Sequence, residues 1–392
     1  MSTDLFFVAA PATGHVNPAL PLVAELTRRG HRVAFATGPA HLAAVSAAGA
    51  TPVELPWTLD PTSLSRERFS TTSFVELLDD LLSKAAPKLD ELVDTARAHG
   101  TEAICFDATV GPLAAALSHR LGVPMISLMA SMAVNEHLPL AELLPPDFRP
   151  DNEALVGYAT RLHLFSVEQG LPAPLLPLVV PEAPLTLVFV PPAFQIAAET
   201  FDDTYRFVGQ TTAPDTGEWA APADDRPLLL VSLGSAFTDQ PDVFRTCAAA
   251  FADTDWRVIM SIGRTPRAAL GELAANIEVA ESVPQQAILR HARAFISHAG
   301  INSIMEALAF GVPLITLPQV PEQALNARRV AELGLGAQLD SDELTAALVA
   351  ETVGTISSDP AIRQRLDQMS ADILAAGGAV AAADAVLDVL SR

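Results

Sequence analysis

The sequence predicts an α/β protein with two domains, each built around a mostly parallel sheet. Short apolar runs alternate with helical periodicity in both halves of the chain, and residues 209–226, rich in Thr, Ala, Pro, Asp and Gly, separate the two series. Such alternation is typical of parallel sheets whose two faces are covered by helices. The length of 392 residues also favours two domains, since one domain usually spans about 100 to 200 residues.

The first domain is predicted over residues 1–210. Its strands are expected at 5–10, 32–37, 51–55, 102–106 and 124–128, with helices at 18–29, 73–98 and 111–121. In the first helix, Asn17 is a good N-cap, Pro18 suits the first helical position and Gly30 favours the helix end. Residues 134–190 lose this periodicity and are interpreted as helical pieces and proline-rich turns.

A linker is predicted over 211–226 and a second domain over 227–376. Strands are expected at 228–232, 256–261, around Ile277, and at 294–297 and 314–317, with helices at 241–253, after Pro284 and at 302–310. The chain ends in helical residues interrupted by Gly377 and Gly378. Because that break allows a change of direction, segment 377–392 is predicted to form a helix that packs on the first domain.

The charge balance and the cysteine count exclude several classes of protein. Lys and Arg number 24, and Asp and Glu number 46, for a net charge of −22, so binding to a nucleic-acid backbone is not expected. An anionic ligand would have to be held by local groups such as helix N-termini. With only Cys105 and Cys247, and no basic flank before the first apolar run, we expect a cytoplasmic protein without disulfides or a signal peptide. Seven prolines within 171–194 argue against a membrane span there.

The loop after the first strand carries the first candidate catalytic residue, His15. It lies within residues 10–18, at the edge where open α/β sheets bind ligands. A histidine, with an unperturbed pKa of about 6.5, can take a proton from a hydroxyl near neutral pH. The alternative is that this side chain caps a helix or bonds the backbone. Gly14 is the single glycine of the loop, whereas a dinucleotide fingerprint needs three, which weighs against NAD binding.

Asp107 follows the strand at 102–106 and is predicted to lie at the same sheet edge as His15. A carboxylate bonded to the far ring nitrogen of a histidine fixes its tautomer and stabilises the imidazolium. An alternative with equal local support is a helix N-cap ahead of Thr109.

Residues 297–308 have the pattern of an anion-binding site. A strand end is followed by small residues and a helix start, and free amides near Asn302 and Ser303 would attract negative charge. Gly300 would permit close approach, His298 would add a donor, and Glu306 could accept both hydroxyls of a ribose. The alternative, an ordinary turn between strand and helix, accounts for the glycine only.

Several short motifs follow one another along nearly the whole chain. They are Gly14-His15-Val16-Asn17-Pro18, Phe106-Asp107, Tyr205-Arg206-Phe207-Val208-Gly209, Val231-Ser232-Leu233-Gly234-Ser235, Val283-Pro284-Gln285, His298-Ala299-Gly300 and Pro318-Gln319. In this order they resemble the nucleoside-diphosphate-sugar glycosyltransferases of the GT-B fold, closest to bacterial macrolide and antibiotic glycosyltransferases. The resemblance implies two Rossmann-like domains with a cleft between them.

The resemblance also implies direct displacement at the anomeric carbon of a sugar, with inversion of configuration. His15 would be the general base toward the acceptor hydroxyl, and Asp107 would be its partner. The second domain would hold the donor. By the same resemblance, Ser235, His298, Gly300, Asn302 and Ser303 are assigned to the diphosphate, Glu306 to the ribose, Val283 and Gln285 to the nucleobase, and Glu322 and Gln323 to the transferred sugar.

No cofactor and no metal is implied beyond a nucleoside diphosphate sugar, with UDP-glucose favoured, and the implied acceptor is a small apolar, macrolide-like or polyphenolic alcohol. Glu322 and Gln323 also suit an ordinary helix start. Asp253-Thr254-Asp255 has the Asp-x-Asp spacing of metal-dependent sugar transferases, but Asp and Thr are ordinary turn formers, so this segment is predicted to be a turn.

Two positions depart from the family pattern. Ser282 stands where the family usually has a tryptophan that stacks on the base, and Glu322 stands where it often has aspartate. Because base stacking is worth about 1 to 3 kcal/mol, the choice between UDP and dTDP stays open. Other interpretations are a biosynthetic transferase that uses a dTDP-deoxysugar, a non-catalytic nucleotide-sugar-binding partner protein and an NAD-linked oxidoreductase. Monomer and homodimer are both open.

Overall fold

Two parallel sheets, one in each half of the chain, organise the fold. The computed structural model describes residues 2–58, 69–211, 219–220 and 224–391. The predicted linker at 211–226 lies mostly outside these residues, so its boundaries remain a prediction.

Seven described strands form the N-terminal sheet. They are β1 (Asp4–Val8), β2 (Arg32–Thr37), β3 (Thr51–Glu54), β4 (Ala103–Asp107), β5 (Met125–Met129), β6 (Leu185–Val188) and β7 (Tyr205–Phe207). Their order is β3-β2-β1-β4-β5-β6-β7, and all neighbours are parallel. The central strand β1 is buried from Leu5 to Val8, as expected of a parallel strand covered on both faces.

Seven described helices accompany this sheet. They are α1 (Thr13–Val16), α2 (Leu20–Arg28), α3 (Leu42–Ala47), α4 (Thr71–Ala85), α5 (Leu89–His99), α6 (Gly111–Leu121) and α7 (Glu153–Glu168). Successive strand residues point to opposite faces. Phe6 and Phe106 therefore join a core with α4 to α7, whereas Phe7 and Cys105 join a core with α2 on the other face.

The second half repeats this plan with six described strands. They are β8 (Leu228–Ser232), β9 (Arg257–Ser261), β10 (Ile277–Ala280), β11 (Ala292–Ser297), β12 (Leu314–Thr316) and β13 (Gly336–Gln338). Their order is β10-β9-β8-β11-β12-β13, again parallel throughout. The helices are α8 (Pro241–Phe251), α9 (Gln285–Leu289), α10 (Ile301–Ala309), α11 (Pro321–Glu332), α12 (Ala346–Ser358), α13 (Pro360–Ala375) and α14 (Gly378–Leu390). The predicted α/β class with two parallel sheets is confirmed.

The last helix, α14, packs on the N-terminal half. Ala382 and Val386 are buried in the same core as residues of β1 and α2, and Asp384 pairs with Arg29 at 2.5 Å. The chain changes direction at Gly378, whose N–H donates to the carbonyl of Val208 at 2.8 Å. The predicted crossing of the C-terminal helix onto the first domain is confirmed.

Within the described part of the chain, Pro360–Leu390 is the one helical stretch long and apolar enough to span a membrane by length and composition. In the structure this stretch is two helices, α13 and α14, with Gly377 in the left-handed conformation between them. One face of α14 is buried against the N-terminal half.

The first helix differs from the prediction. The sequence favours a helix at 18–29 with Asn17 as its N-cap, but the chain forms α1 and then α2, which begins at Leu20 after an Ala19 cap without a side-chain bond. Asn17 ends α1 instead, so its prediction as an N-cap is wrong. The helical turn starts within the ligand loop itself, and Pro18, which has no N–H, interrupts the hydrogen-bond ladder between the two helices.

Candidate active site

The carboxyl ends of the two sheets meet across a cleft. His15 lies in α1, directly after β1, and Asp107 ends the neighbouring strand β4. In the other sheet, β11 leads into the loop that carries His298. The two edges are in contact, because Asn302 Nδ2 donates to the backbone oxygen of Gly14 at 2.9 Å. The structure therefore places the predicted base beside the predicted donor segment.

His15 and Asp107 form a hydrogen-bonded pair. Nδ1 of His15 lies 3.0 Å from the carboxylate of Asp107, which is 3% exposed. The backbone N–H groups of Ala10 and Thr109 also donate to this carboxylate, at 3.2 and 3.3 Å. Asp107 is thus both a histidine partner and a helix N-cap, so its two sequence-based interpretations hold together. With Nδ1 engaged, Nε2 is the ring atom left to take a substrate proton.

The electrostatic surroundings favour protonation of His15. Burial by itself lowers the pKa of His15, but the charge of Asp107 and its hydrogen bond outweigh burial, so the pKa lies above its usual value. The charge of Glu322 adds a further effect in the same direction. Of the His15 side chain, 35% stays exposed, so a substrate can reach the ring.

His298 has the opposite character. Burial lowers its pKa to about 4, and the backbone of Ser232 opposes this shift in part, so the ring is neutral at pH 7. Two glycines leave room for it. A Cβ at Gly300 would lie 2.4 Å from Nε2, and one at Gly234 would lie 2.6 Å from the same atom. Any side chain at either position would push the ring aside.

The start of α10 presents free amides at this cleft. Gly300 is the N-cap, and no side chain caps the helix, so first-turn N–H groups lack intrahelical partners. Ala299, just before, has φ +64°, a conformation that costs an L-residue about 1 to 2 kcal/mol. The Ser297 hydroxyl accepts from the Ala299 N–H at 3.3 Å and supports this turn. Such a helix start attracts an anion.

Glu306, one turn into α10, is held by two amides. Gln285 Nε2 donates to it at 2.6 Å and Gln286 Nε2 at 3.0 Å. Burial raises the pKa of Glu306, and these two bonds oppose that effect. Gln285 Nε2 also lies 3.2 Å from the Ser303 hydroxyl. Gln285, Glu306 and Ser303, which the resemblance assigns to base, ribose and phosphate in turn, therefore form one hydrogen-bonded cluster.

Glu322 and Gln323 begin α11 at the next sheet edge. Burial raises the pKa of Glu322, and the amide of Asn326 donates to its carboxylate at 3.3 Å. Asn326 also donates to the Ala299 carbonyl at 3.1 Å, which ties α11 to the His298 loop. Gln323 accepts from the backbone N–H of Gln319 at 2.9 Å. Asn326 thus links Glu322 to the donor loop.

The remaining predicted donor residues lie in loops of the C-terminal half. Ser235 is exposed in the loop after β8, Val283 is half-buried ahead of α9, and Ser282 beside it is exposed. A contact between aromatic rings also joins the two halves, since Phe69 meets Phe237 edge to face with ring centroids 6.4 Å apart.

The Asp-x-Asp segment lies at the other edge of the C-terminal sheet. Asp253 to Asp255 are exposed just before β9, and the Thr254 hydroxyl donates to the Phe251 carbonyl at 2.8 Å. Since the donor loops follow the carboxyl ends of the strands, this segment is a turn remote from them.

Two residues that hold the site together were not predicted, Gln286 and Asn326. Asn326 is 1% exposed and lies four residues after Glu322, which on a helix places the two side chains on one face. This four-residue spacing was the sequence pattern from which Asn326 could have been predicted. No local sequence pattern indicated Gln286, because its partner Glu306 is 20 residues away in sequence.

Comparisons with known proteins give a family model, several relatives and solved structures of the same fold. The family model for "Erythromycin biosynthesis protein CIII-like, C-terminal domain" matches residues 245–386. NDP-glycosyltransferase YjiC of Bacillus subtilis (strain 168) is 40% identical over 95% of this chain and 94% of its own length. Oleandomycin glycosyltransferase of Streptomyces antibioticus is 36% identical over 97% of this chain and 89% of its own length. The crystal structure of CalG4, the calicheamicin glycosyltransferase, matches with a TM-score of 0.83 and 34% identity, covering 100% of this chain and 99% of that one. The predicted GT-B architecture is confirmed.

Proposed function

The chain belongs to the GT-B glycosyltransferase family, and we propose that it transfers glucose from UDP-glucose to a hydroxyl of a macrolide-like acceptor, with inversion at the anomeric carbon. The observation that carries the proposal is the His15–Asp107 pair, set beside the start of α10 by the Asn302–Gly14 bond. A base on one side of a cleft and an anion-binding helix on the other suit a hydroxyl that loses a proton while a diphosphate departs.

In the proposed step, the acceptor hydroxyl gives its proton to Nε2 of His15. The hydroxyl oxygen bonds to the anomeric carbon while the bond from that carbon to the diphosphate oxygen breaks, and the diphosphate leaves with the electron pair. Attack from the face opposite the leaving group inverts the configuration. Asp107 stabilises the resulting imidazolium, since its charge and hydrogen bond already raise the pKa of His15.

The start of α10 would stabilise the departing diphosphate. Its free amides and helix dipole act as roughly half a positive charge, and the neutral His298 ring offers a hydrogen bond instead of a charge. These local groups are the means by which a chain with a net charge of −22 would hold a dianionic donor.

The carboxylate of Glu322 favours a donor sugar with many hydroxyl groups, such as glucose. This carboxylate accepts a hydrogen bond from Asn326, which also bonds the Ala299 carbonyl of the donor loop, so the transferred sugar is proposed to lie beside it. A carboxylate accepts hydrogen bonds only, and glucose offers more hydroxyl donors than a deoxysugar. Ser282 provides no ring for base stacking, so uracil or thymine recognition would rest on neighbouring groups such as Val283.

Two observations support a largely apolar acceptor. Similar proteins are named for oleandomycin and calicheamicin. In this chain, Phe69 contacts both Phe74 and Phe237, so aromatic rings from the two halves meet each other. Aromatic rings bury large apolar area at low entropic cost.

The proposal is tested by incubating the protein with UDP-glucose or dTDP-glucose and a panel of macrolides and polyphenols. Mass spectrometry should detect one added hexose, formed faster from UDP-glucose, and NMR should show the inverted anomer. His15→Ala should lower the rate at least about 100-fold, while the Kd for UDP changes less than about twofold. A retained configuration, a failure of all donors, or full activity of His15→Ala would each contradict the proposal.

A further inference from the structure

The bond between Asn302 and Gly14 links the two halves of the protein at the base itself. Asn302 Nδ2 donates to Gly14 O at 2.9 Å, although the residues are 288 positions apart. Gly14 directly precedes His15 in α1, and Asn302 is the second residue of α10. A side chain of the donor half thus holds the backbone of the turn that carries the base.

That turn is weakly held by its own sequence. Helix α1 has four residues, Thr13–Val16, and its N-cap Ala12 provides no side-chain bond. A single helical turn has little intrinsic stability, because nucleation costs more than one turn of hydrogen bonds returns. Its orientation therefore depends on contacts from outside the turn.

Pro18 explains why the Gly14 carbonyl is available. In a helical turn the carbonyl of residue 14 would accept from the N–H of residue 18, four positions on, and Asn17 keeps the helical conformation with φ −57° and ψ −40°. Proline has no N–H. Asn302 supplies the missing donor from the other half of the molecule.

We propose that Asn302 is a positioning residue that sets His15 for proton transfer when the cleft is closed. The assignment rests on the proposed function, in which His15 is the base. If the halves separated, His15 would keep Asp107 as its partner, but the turn that carries it would lose the bond from Asn302 to the Gly14 carbonyl.

The two roles considered for Asn302, positioning of His15 and binding of phosphate, affect different quantities: the first affects kcat and the second affects the affinity for UDP. A phosphate ligand contributes to donor affinity, so its loss weakens UDP binding. A positioning residue contributes to the geometry of the reacting groups, so its loss lowers kcat at saturating substrates and leaves UDP affinity nearly unchanged.

Asn302→Ala is the first test. We expect kcat to fall about 10- to 100-fold, by a larger factor than any rise in the Kd for UDP measured by calorimetry. Asn302→Asp, which keeps the shape but replaces the N–H donor by an acceptor, should lower kcat at least as much. An unchanged kcat in either variant, or a large rise in Kd for UDP without a fall in kcat, would overturn the proposal.

Pro18→Ala offers a rescue. This substitution restores an N–H at position 18, and that group can donate to the Gly14 carbonyl within the same turn. In the Asn302→Ala background it should recover part of the lost kcat, an effect that loss of a phosphate ligand would not show. A double variant no faster than Asn302→Ala, with both proteins folded by circular dichroism, would contradict the assignment.

His15→Ala separates this proposal from the proposed function. An inactive His15→Ala together with a fully active Asn302→Ala would leave the base assignment standing and remove only the positioning role. A fully active His15→Ala would remove the base assignment itself, whatever Asn302→Ala does.

Discussion

His15 and His298 lie at the carboxyl edges of the two sheets and face the same cleft, yet their pKa values shift in opposite directions. Burial lowers the pKa of both rings, but His15 also bonds Asp107, which raises its pKa above the usual value. His298 instead lies between the backbones of two glycines. The charge of the partner, more than burial, sets the protonation state, so the same residue type suits a base on one side and a neutral hydrogen-bond group on the other.

Asp107→Asn removes the charged partner from this comparison and should have the largest effect. The variant keeps the shape of the pair but loses the stabilisation of the imidazolium, so kcat should fall about 100- to 10,000-fold. In the wild type, kcat/KM should fall as pH drops below the raised pKa of His15, because the base must be neutral. Without the carboxylate, burial dominates and this acid limb should move to lower pH. A limb that stays in place in rate measurements across pH would contradict the interpretation.

Gly300→Ala disturbs the neutral His298 ring and should have the next largest effect. Its backbone, with φ −62° and ψ 135°, accepts alanine, but the new Cβ would lie 2.4 Å from His298 Nε2. We expect the donor KM to rise about tenfold or more through loss of a hydrogen bond to a charged phosphate, worth about 1.5 to 3 kcal/mol. The matched control is Gly354→Ala in α12, where nothing lies within 4 Å of the new Cβ. Equal KM values in the two variants would argue against His298 as a donor contact.

His298→Gln tests, through the free energy of unfolding, the direction in which folding shifts the pKa of His298. The pKa of His298 falls from 6.5 to about 4 on folding, so between these values the unfolded chain binds a proton that the folded chain does not. This group therefore stabilises the fold above pH 6.5, and its contribution is lost as the pH falls toward 4, by about 2 kcal/mol between pH 7 and pH 5.

Urea unfolding at pH 7 and pH 5 measures this difference. His298→Gln should lose less stability on acidification than the wild type. His15→Gln should lose more, because a raised pKa contributes stability that is present below the unfolded pKa and disappears as pH rises. Shifts of the same sign in both variants would refute the comparison.

Ala299→Gly should have the smallest effect. Ala299 has φ +64°, which costs about 1 to 2 kcal/mol for an L-residue, whereas glycine carries an entropic cost of about 0.5 to 1 kcal/mol. The free energy of unfolding should therefore rise by up to about 1 kcal/mol in urea titrations. A clear loss of stability would show that the methyl group packs more strongly than the strained backbone costs.

Local patterns in the chain were enough to predict the α/β class, both sheets and the crossing of the last helix, because strand and helix periodicity is written in neighbouring residues. The rule that ligands meet the carboxyl ends of parallel strands was also enough to select His15 and Asp107. The same local logic failed at Asn17, whose capping propensity was overridden when the turn formed earlier, at Thr13–Val16.

Packing between distant segments decided the rest. The neighbouring positions of β1 and β4, the bond from Asn302 to Gly14 and the depressed pKa of His298 each depend on residues brought together only by the folded chain. Strand order and desolvation are properties of that whole assembly, so no window of sequence contains them.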